Sequence, residues 1–468
     1  MSIAPPHTHT PTEILAQHVL SGIHADQLSD ETVQRAGSVL LDAIANGLFG
    51  ATQDAVQMID SEVRARYRRG SAISWASGAD VHPAGAANIN AAGAHGFEFD
   101  DYLPAGKTHV GAVIAPVILA LADDKMTGHE LLETLVAAYD VMGRVSIAAG
   151  GSSVRSRGWH ITGLVGPFGA TAAAGRLLRL DAEQLARAFG VAASTAAGTF
   201  SFSAEGAMTK CFHAGRAAEA GILAASLGKR GFKGPLLSLD AADGGLLSAI
   251  SDAPRFGELT RDLGHRFDLD SVAIKPYPCC GSAHSSIDAL LALRERHGLE
   301  PHAVTQINVA NAESVLLQCG YEYSGNGGRV EAQMSLQFCL AAALADGDVT
   351  VQHFLGKRPA DPDLLSIAGL VTFEHDAVMD RIYPAHFPTR VTVSTEGGET
   401  FQAEVEDPKG SRACPMTRAD VERKAATLLE HLVDPELSTQ LTTLTRDLRD
   451  LPNVGQLKRV IEHAVTAR

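Results

Sequence analysis

From Thr12 to about residue 270 the sequence keeps returning to one pattern, apolar residues three or four apart and crowded with alanine and glycine. Such a period marks helices that bury one face. It runs from Thr12, as a cap, through Ala16 to Leu20, then over Glu31–Phe49, Ala112–Ala122, Gly128–Ala148, Gly163–Leu178, Ala182–Ala197 and Cys211–Leu227. Glycine supplies 45 of 468 residues and aromatics only 5%. Side chains that small let helix backbones approach closely, so the pattern predicts a tightly packed, all-helical region.

The texture changes after Phe267. Ser271–Ile274 and Gln306–Asn311 read as short strands, and His386–Val405 as a hairpin. Its arms, TRVTVST and ETFQAEV, alternate apolar and polar residues around Glu396-Gly397-Gly398, where a glycine pair tolerates positive φ. Helical spacing returns over Ala332–Ala345 and from Val351, and again from Thr417, a cap paired with Asp420, to Ala467. The predicted fold is mainly α, a large all-helical domain (1–270 and 410–468) with an inserted smaller α+β domain (271–409). The first ten residues, with two prolines, read as a mobile lead-in.

A net charge of −15 argues against nucleic acid or an anionic membrane as partner, because polyanions need a basic face. The six cysteines form no C-x-x-C pair, so neither a disulfide framework nor zinc or iron–sulfur ligation is expected. No apolar run approaches the ~18 residues of a membrane span, and the N-terminus lacks the basic-then-apolar pattern of a secretory signal. The expectation is a soluble, cytoplasmic protein.

Familiar cofactor motifs fail on inspection. Gly106-Lys107-Thr108 resembles the end of a phosphate-binding loop, but Asp101 stands where its first glycine belongs. Gly150-Gly151 follows a helical stretch and not a buried strand. Adjacent Cys279-Cys280 with His284 make poor ligands for a single ion. No nucleophile elbow is present. An enzyme without metal or organic cofactor fits these negatives.

Polar chemistry concentrates in four stretches. The first runs from His95 through Glu98, Asp100, Asp101 and Tyr102 to Lys107-Thr108-His109. The second is Arg155-Ser156-Arg157-Gly158-Trp159-His160-Ile161-Thr162-Gly163, where arginines and a histidine precede a helix start that favours anions. The third, Ala207–Arg216, holds Lys210. The fourth, Lys275-Pro276-Tyr277-Pro278-Cys279-Cys280-Gly281-Ser282-Ala283-His284, is a corner stiffened by two prolines. Cations and imidazoles gathered in an acidic chain suit a small polyanionic substrate and general acid–base chemistry near neutral pH.

These motifs, in this order, resemble the MmgE/PrpD family, which includes 2-methylcitrate dehydratases, cis-aconitate decarboxylases and an iminodisuccinate epimerase. The similarity runs from Asp42-Ala43-Ile44-Ala45-Asn46 to the C-terminal helices, with G-W-H-x-T-G and K-P-Y-P-C-C-G-S-A-H as its most specific signatures. It implies a helical domain with a smaller α+β lid, a homodimer, no cofactor and a small di- or tricarboxylate substrate. Carried over residue by residue, it implies catalytic positions at Asp101, His109, His160, Lys210 and Lys275. Arg157, Tyr102, Lys107 and His284 are the expected substrate contacts, with a family tyrosine at Tyr321 or Tyr323. Lys210 and Lys275 would stabilise a carbanion beside a carboxylate. His160 would act as acid or base, His109 would face it, and Asp101 would orient His109. The chain departs from the decarboxylase-like pattern by Glu98 in place of Asp, by Val110 after His109 in place of Pro, by one extra residue before His109, and by Cys280 in place of a histidine.

The function expected from this is a dehydratase-type lyase on a hydroxy-polycarboxylate. An epimerase of a substituted succinate or a cis-aconitate decarboxylase-like enzyme is the alternative. A dimeric anion-binding protein is the non-enzymatic one.

Overall fold

Caps set the helix ends close to where the apolar period predicts them. The computed structural model describes residues 9–430 and 432–466, so most of the expected lead-in lies outside the described residues. The first helix, Pro11–Ser21, is capped by Thr10 and not by Thr12, whose side chain is buried in the first turn. Thr10 and Glu13 close a reciprocal capping box, as do Thr127 with Glu130 and Thr417 with Asp420.

The helical body is built from Asp30–Gly50, Pro83–Ala94, Gly111–Leu121, Gly128–Ala149, Ile161–Leu177 and Thr209–Lys229, packed on one another. Small residues make the closest crossings possible: a Cβ at Gly166 would stand 2.7 Å from that of Ala217. Pro83–Ala94 escapes a periodicity reading because nearly every one of its residues is buried, which leaves no polar face to define a period. The expected Ala182–Ala197 helix stops at Ala193.

A two-residue ribbon, β1 (Ala72–Ile73) against β2 (Asp80–Val81), interrupts the region expected to be purely helical. The larger sheet contains β3 (Val304–Asn311), β4 (Val371–His375), β5 (Thr389–Thr395) and β6 (Thr400–Val405) in the order β4-β3-β5-β6. β5 and β6 form the expected antiparallel hairpin, while β4, unforeseen in the sequence, runs parallel to β3. Thr389, Val391 and Val393 are buried, and the His284–His297 helix packs across β5 and β6. The strand expected at Ser271–Ile274 reduces to one bridge, Ala273 to Tyr102.

After the sheet the chain returns to the helical body, where Arg418–Leu429 packs on Asp30–Gly50. There Lys424 Nζ bonds Asp42 (2.6 Å) and the carbonyl of Phe99 (2.5 Å). This anchors the loop that opens the site described next.

Candidate active site

Four successive carbonyls, of Gly96, Phe97, Glu98 and Phe99, each accept a side-chain hydrogen bond, from Arg329, Gln333, Lys275 and Lys424 respectively. Those donors come from distant parts of the chain. They hold the loop in a shape that puts Glu98 at φ 58°, a left-handed conformation a non-glycine residue adopts only when its surroundings impose it.

The loop delivers Glu98 into a cleft of about 690 Å³, counted to its mouth. Lys107, His109, Arg155, His160, Lys210, Lys275 and Tyr383 line it, with Cys280 and Ser282 on one wall. Lys210 pairs with the Glu98 carboxylate, and Lys275 Nζ lies 3.3 Å from its second oxygen. Burial, and then the charge of Lys275, pull the Lys210 ammonium well below its ordinary range. The Arg155 guanidinium stacks 3.4 Å from the Phe200 ring centroid. Lys107 Nζ donates to Tyr383 Oη at 2.8 Å, and burial followed by Arg155 draws it down to about 8.

Histidines form the other wall. Asp100 Oδ2 accepts from His95 Nδ1 (2.7 Å) and lies 3.1 Å from His109 Nδ1. Burial alone would raise the Asp100 carboxyl, but the two imidazoles outweigh it and hold it well below the usual carboxylate range. Burial takes His95 down to about 3. The His95 ring stacks on that of His160, centroids 5.5 Å apart. His160 caps the Ile161–Leu177 helix, donates its backbone N–H to Gly198 O, and sets its Nδ1 2.9 Å from His213 Nδ1. Burial, then His95 and His213, keep its imidazole well below its ordinary value.

His95, Asp100 and His109 offer three possible ligand atoms within 4.8 Å of one another. His95 Nδ1 is hydrogen-bonded to Asp100 Oδ2, and His109 Nδ1 stands 3.1 Å from the same oxygen.

The MmgE/PrpD N-terminal domain matches residues 13–258, and the MmgE/PrpD C-terminal domain matches residues 277–450. The chain belongs to the MmgE/PrpD family. A cis-aconitate decarboxylase-like protein of Aspergillus oryzae is 28% identical over 460 residues, spanning 92% of this chain and 93% of that protein. The cis-aconitate decarboxylase of Aspergillus terreus is 24% identical, spanning 95% of this chain and 94% of its own length. That of Homo sapiens is 25% identical, with 95% and 93% covered.

Of the positions expected from the sequence, this MmgE/PrpD chain brings His109, His160, Lys210, Lys275, Tyr102 and Lys107 to one cleft. Four others lie elsewhere. Asp101 does not touch His109: it accepts from Tyr139 Oη (2.7 Å) and from the backbone N–H of Gly111 (2.8 Å), capping a helix. Burial and Asp42 raise its carboxyl to about 7, and its neighbour Asp100 takes the orienting contact instead. Arg157 points outward to Asp252, and Arg155 lines the cleft. His284 is buried behind the wall, its Nε2 3.4 Å from Cys279 O. Tyr321 donates to Glu331 O and Tyr323 to Pro359 O, and the tyrosines that line the cleft are Tyr102 and Tyr383. Asp100 lies at a bend with Asp101 just after it, so no local period says which of the two faces in. Tyr383 carries no motif signal beyond its proline neighbour.

Among the described residues, no helix is long and apolar enough to cross a membrane.

Proposed function

We propose that this chain is a lyase of small tricarboxylates, working through a carbanion beside a carboxylate without an organic cofactor. The charge of the cleft carries the reading. Lys107, Arg155, Lys210 and Lys275 surround a single carboxylate, Glu98, in a protein of net charge −15. Local positive charge against a repulsive global field selects a small anion that can enter a partly closed site. Family membership and decarboxylase relatives that span nearly the whole chain support decarboxylation of a cis-aconitate-type acid over the dehydration favoured by sequence.

In that reaction the bond to one carboxylate breaks, its electron pair moves through the adjacent alkene, and CO2 leaves. The carbon next to a second carboxylate then takes a proton. Lys210 and Lys275 favour the charge as it moves from the departing carboxylate to the carbon beside the second one, more than they favour the substrate. His160 donates the proton. Burial holds its imidazole well below its ordinary value and so neutral, and the N–H of that neutral ring is the donor, drawn toward the cleft by the bound trianion. Water-poor walls, Phe200 and Met334 among them, strengthen every charge interaction inside.

Dehydration of a hydroxy-tricarboxylate is the second reading, favoured by the His109–Asp100 pair, which supplies another proton-transfer group in the same cleft. Incubation with cis-aconitate, monitored for CO2 and by proton NMR, tests the first. Citrate and methylcitrate, followed near 240 nm for a new conjugated alkene, test the second. His160→Ala is expected to abolish turnover and leave the folded state intact. Should no di- or tricarboxylate give CO2, alkene or solvent-deuterium exchange, the lyase reading falls.

A further inference from the structure

His213 sits three residues beyond Lys210 on the Thr209–Lys229 helix, turned toward the same wall. The fold makes a seat for it. A Cβ at Gly198, whose φ is +133°, would come within 3.3 Å of the His213 ring, and one at Gly163 within 3.3 Å of the His213 Cβ. Gly198 also accepts the backbone N–H of His160, so one loop places both histidines. His160 is 3% exposed, whereas His213 keeps part of its surface open. The Phe200 and Phe202 rings lie against His160, their centroids 5.9 and 5.3 Å away.

We propose that His213 is a positioning residue that fixes which ring nitrogen of His160 carries the proton. A 2.9 Å contact between two Nδ1 atoms needs one donor and one acceptor, so it locks the two tautomers to each other. Carboxylates in the cleft select the form of His160 with its proton on Nε2, the nitrogen not engaged by His213. The Nδ1 lone pair of His160 must then accept, and His213 Nδ1–H is the donor in place. When His160 gives its Nε2 proton to the carbanion, the Nδ1–H of His213 shifts toward His160 and limits the charge left on that ring. The inference rests on the lyase reading for its kinetic consequence but not for the hydrogen bond itself.

The test uses 15N-histidine-labelled protein saturated with propane-1,2,3-tricarboxylate, which has neither hydroxyl nor alkene to react. The wild type is expected to show His160 protonated at Nε2 and unprotonated at Nδ1. His213→Asn, which keeps an N–H donor near the Nδ1 position, should preserve that pattern and hold kcat within about tenfold. His213→Asp can only accept when ionised, so it should move the His160 proton to Nδ1. It should lower kcat at least ~10²-fold with KM nearly unchanged, since a wrong tautomer removes the proton donor and not the anion site. An unaltered His160 tautomer in His213→Asp, or wild-type kcat in that variant, overturns the proposal. If the wild type turns over no tricarboxylate at all, the lyase reading fails by itself, and the nitrogen shifts alone still decide the role of His213.

Discussion

Lys275 reaches Glu98 twice, with Nζ 2.9 Å from its carbonyl oxygen and 3.3 Å from its carboxylate. One ammonium therefore holds the loop in its left-handed turn and balances the buried charge that the turn delivers. Removing one partner of a buried pair costs about 3–5 kcal/mol, because the other charge is left without compensation. Lys275→Met leaves Glu98 with Lys210 alone and the Glu98 carbonyl without its donor, so it is expected to lower the unfolding free energy by up to about that amount and to reduce kcat/KM at least ~10²-fold. Adding Glu98→Gln should recover part of the stability, limited because Lys210 then loses its own carboxylate partner, and none of the turnover. Additive losses in the double variant, measured by urea unfolding, would show that the two residues do not act as a unit.

The two arginines of the second motif should separate cleanly. Arg157 is 41% exposed and pairs with an Asp252 that is 73% exposed, an arrangement of the kind that contributes ~0–1 kcal/mol. Arg157→Ala should leave KM within about twofold. Arg155→Ala removes a cation stacked inside the cleft and should raise KM for a tricarboxylate about tenfold or more. Equal effects on KM would contradict the placement of these side chains.

Lys107, with its ammonium drawn down to about 8, makes anion binding sensitive to alkaline pH. A bound anion favours the charged form, so affinity should fall as pH rises through about 8 and the ammonium loses its proton in the empty cleft. Lys107→Arg, whose guanidinium stays charged, should flatten that fall. Calorimetric titration with a tricarboxylate at pH 7 and pH 9 checks both, and a wild-type affinity independent of pH would count against the role of Lys107.

Acid should destabilise the fold before its carboxylates are protonated. His95 and His284 are both pushed by burial down to about 3, so between pH ~6.5 and ~3 the unfolded chain binds protons that the native state refuses. Stability consequently falls as pH drops through that window. Asp101 and Asp268, both raised to about 7, bind protons more readily in the native state and work the other way, while His160 and His213, also held low, add to the histidine side. His284→Asn should reduce the acid slope by about one proton, ~1.4 kcal/mol per pH unit at most. Urea midpoints between pH 7.5 and 5 give that slope directly, and an unchanged slope would mean that His284 is not held neutral.

Legibility from sequence followed the strength of local signals. Helices with one polar face, such as Gly128–Ala149, and the β5–β6 hairpin with its glycine pair were readable because period and turn chemistry agree over short distances. Pro83–Ala94 and β4 were not. The first has no polar face, and the second is a five-residue edge strand whose partner, β3, lies some sixty residues earlier.

Composition and spacing by themselves determined the helical body, the acidic background, the inserted sheet and the four stretches that carry cations and imidazoles. Those properties are written in residue type and local period. Tertiary structure alone decided that Asp100 and not Asp101 meets His109, that Arg155 and not Arg157 enters the cleft, and that Tyr383 lines it while Tyr321 and Tyr323 bond backbone carbonyls. The reason is that no regular period orders these side chains, and the course of the loop leading into Asp100 is imposed from afar. Arg329, Gln333, Lys275 and Lys424 grip four consecutive carbonyls, and no local rule foretells contacts made across the whole length of the chain.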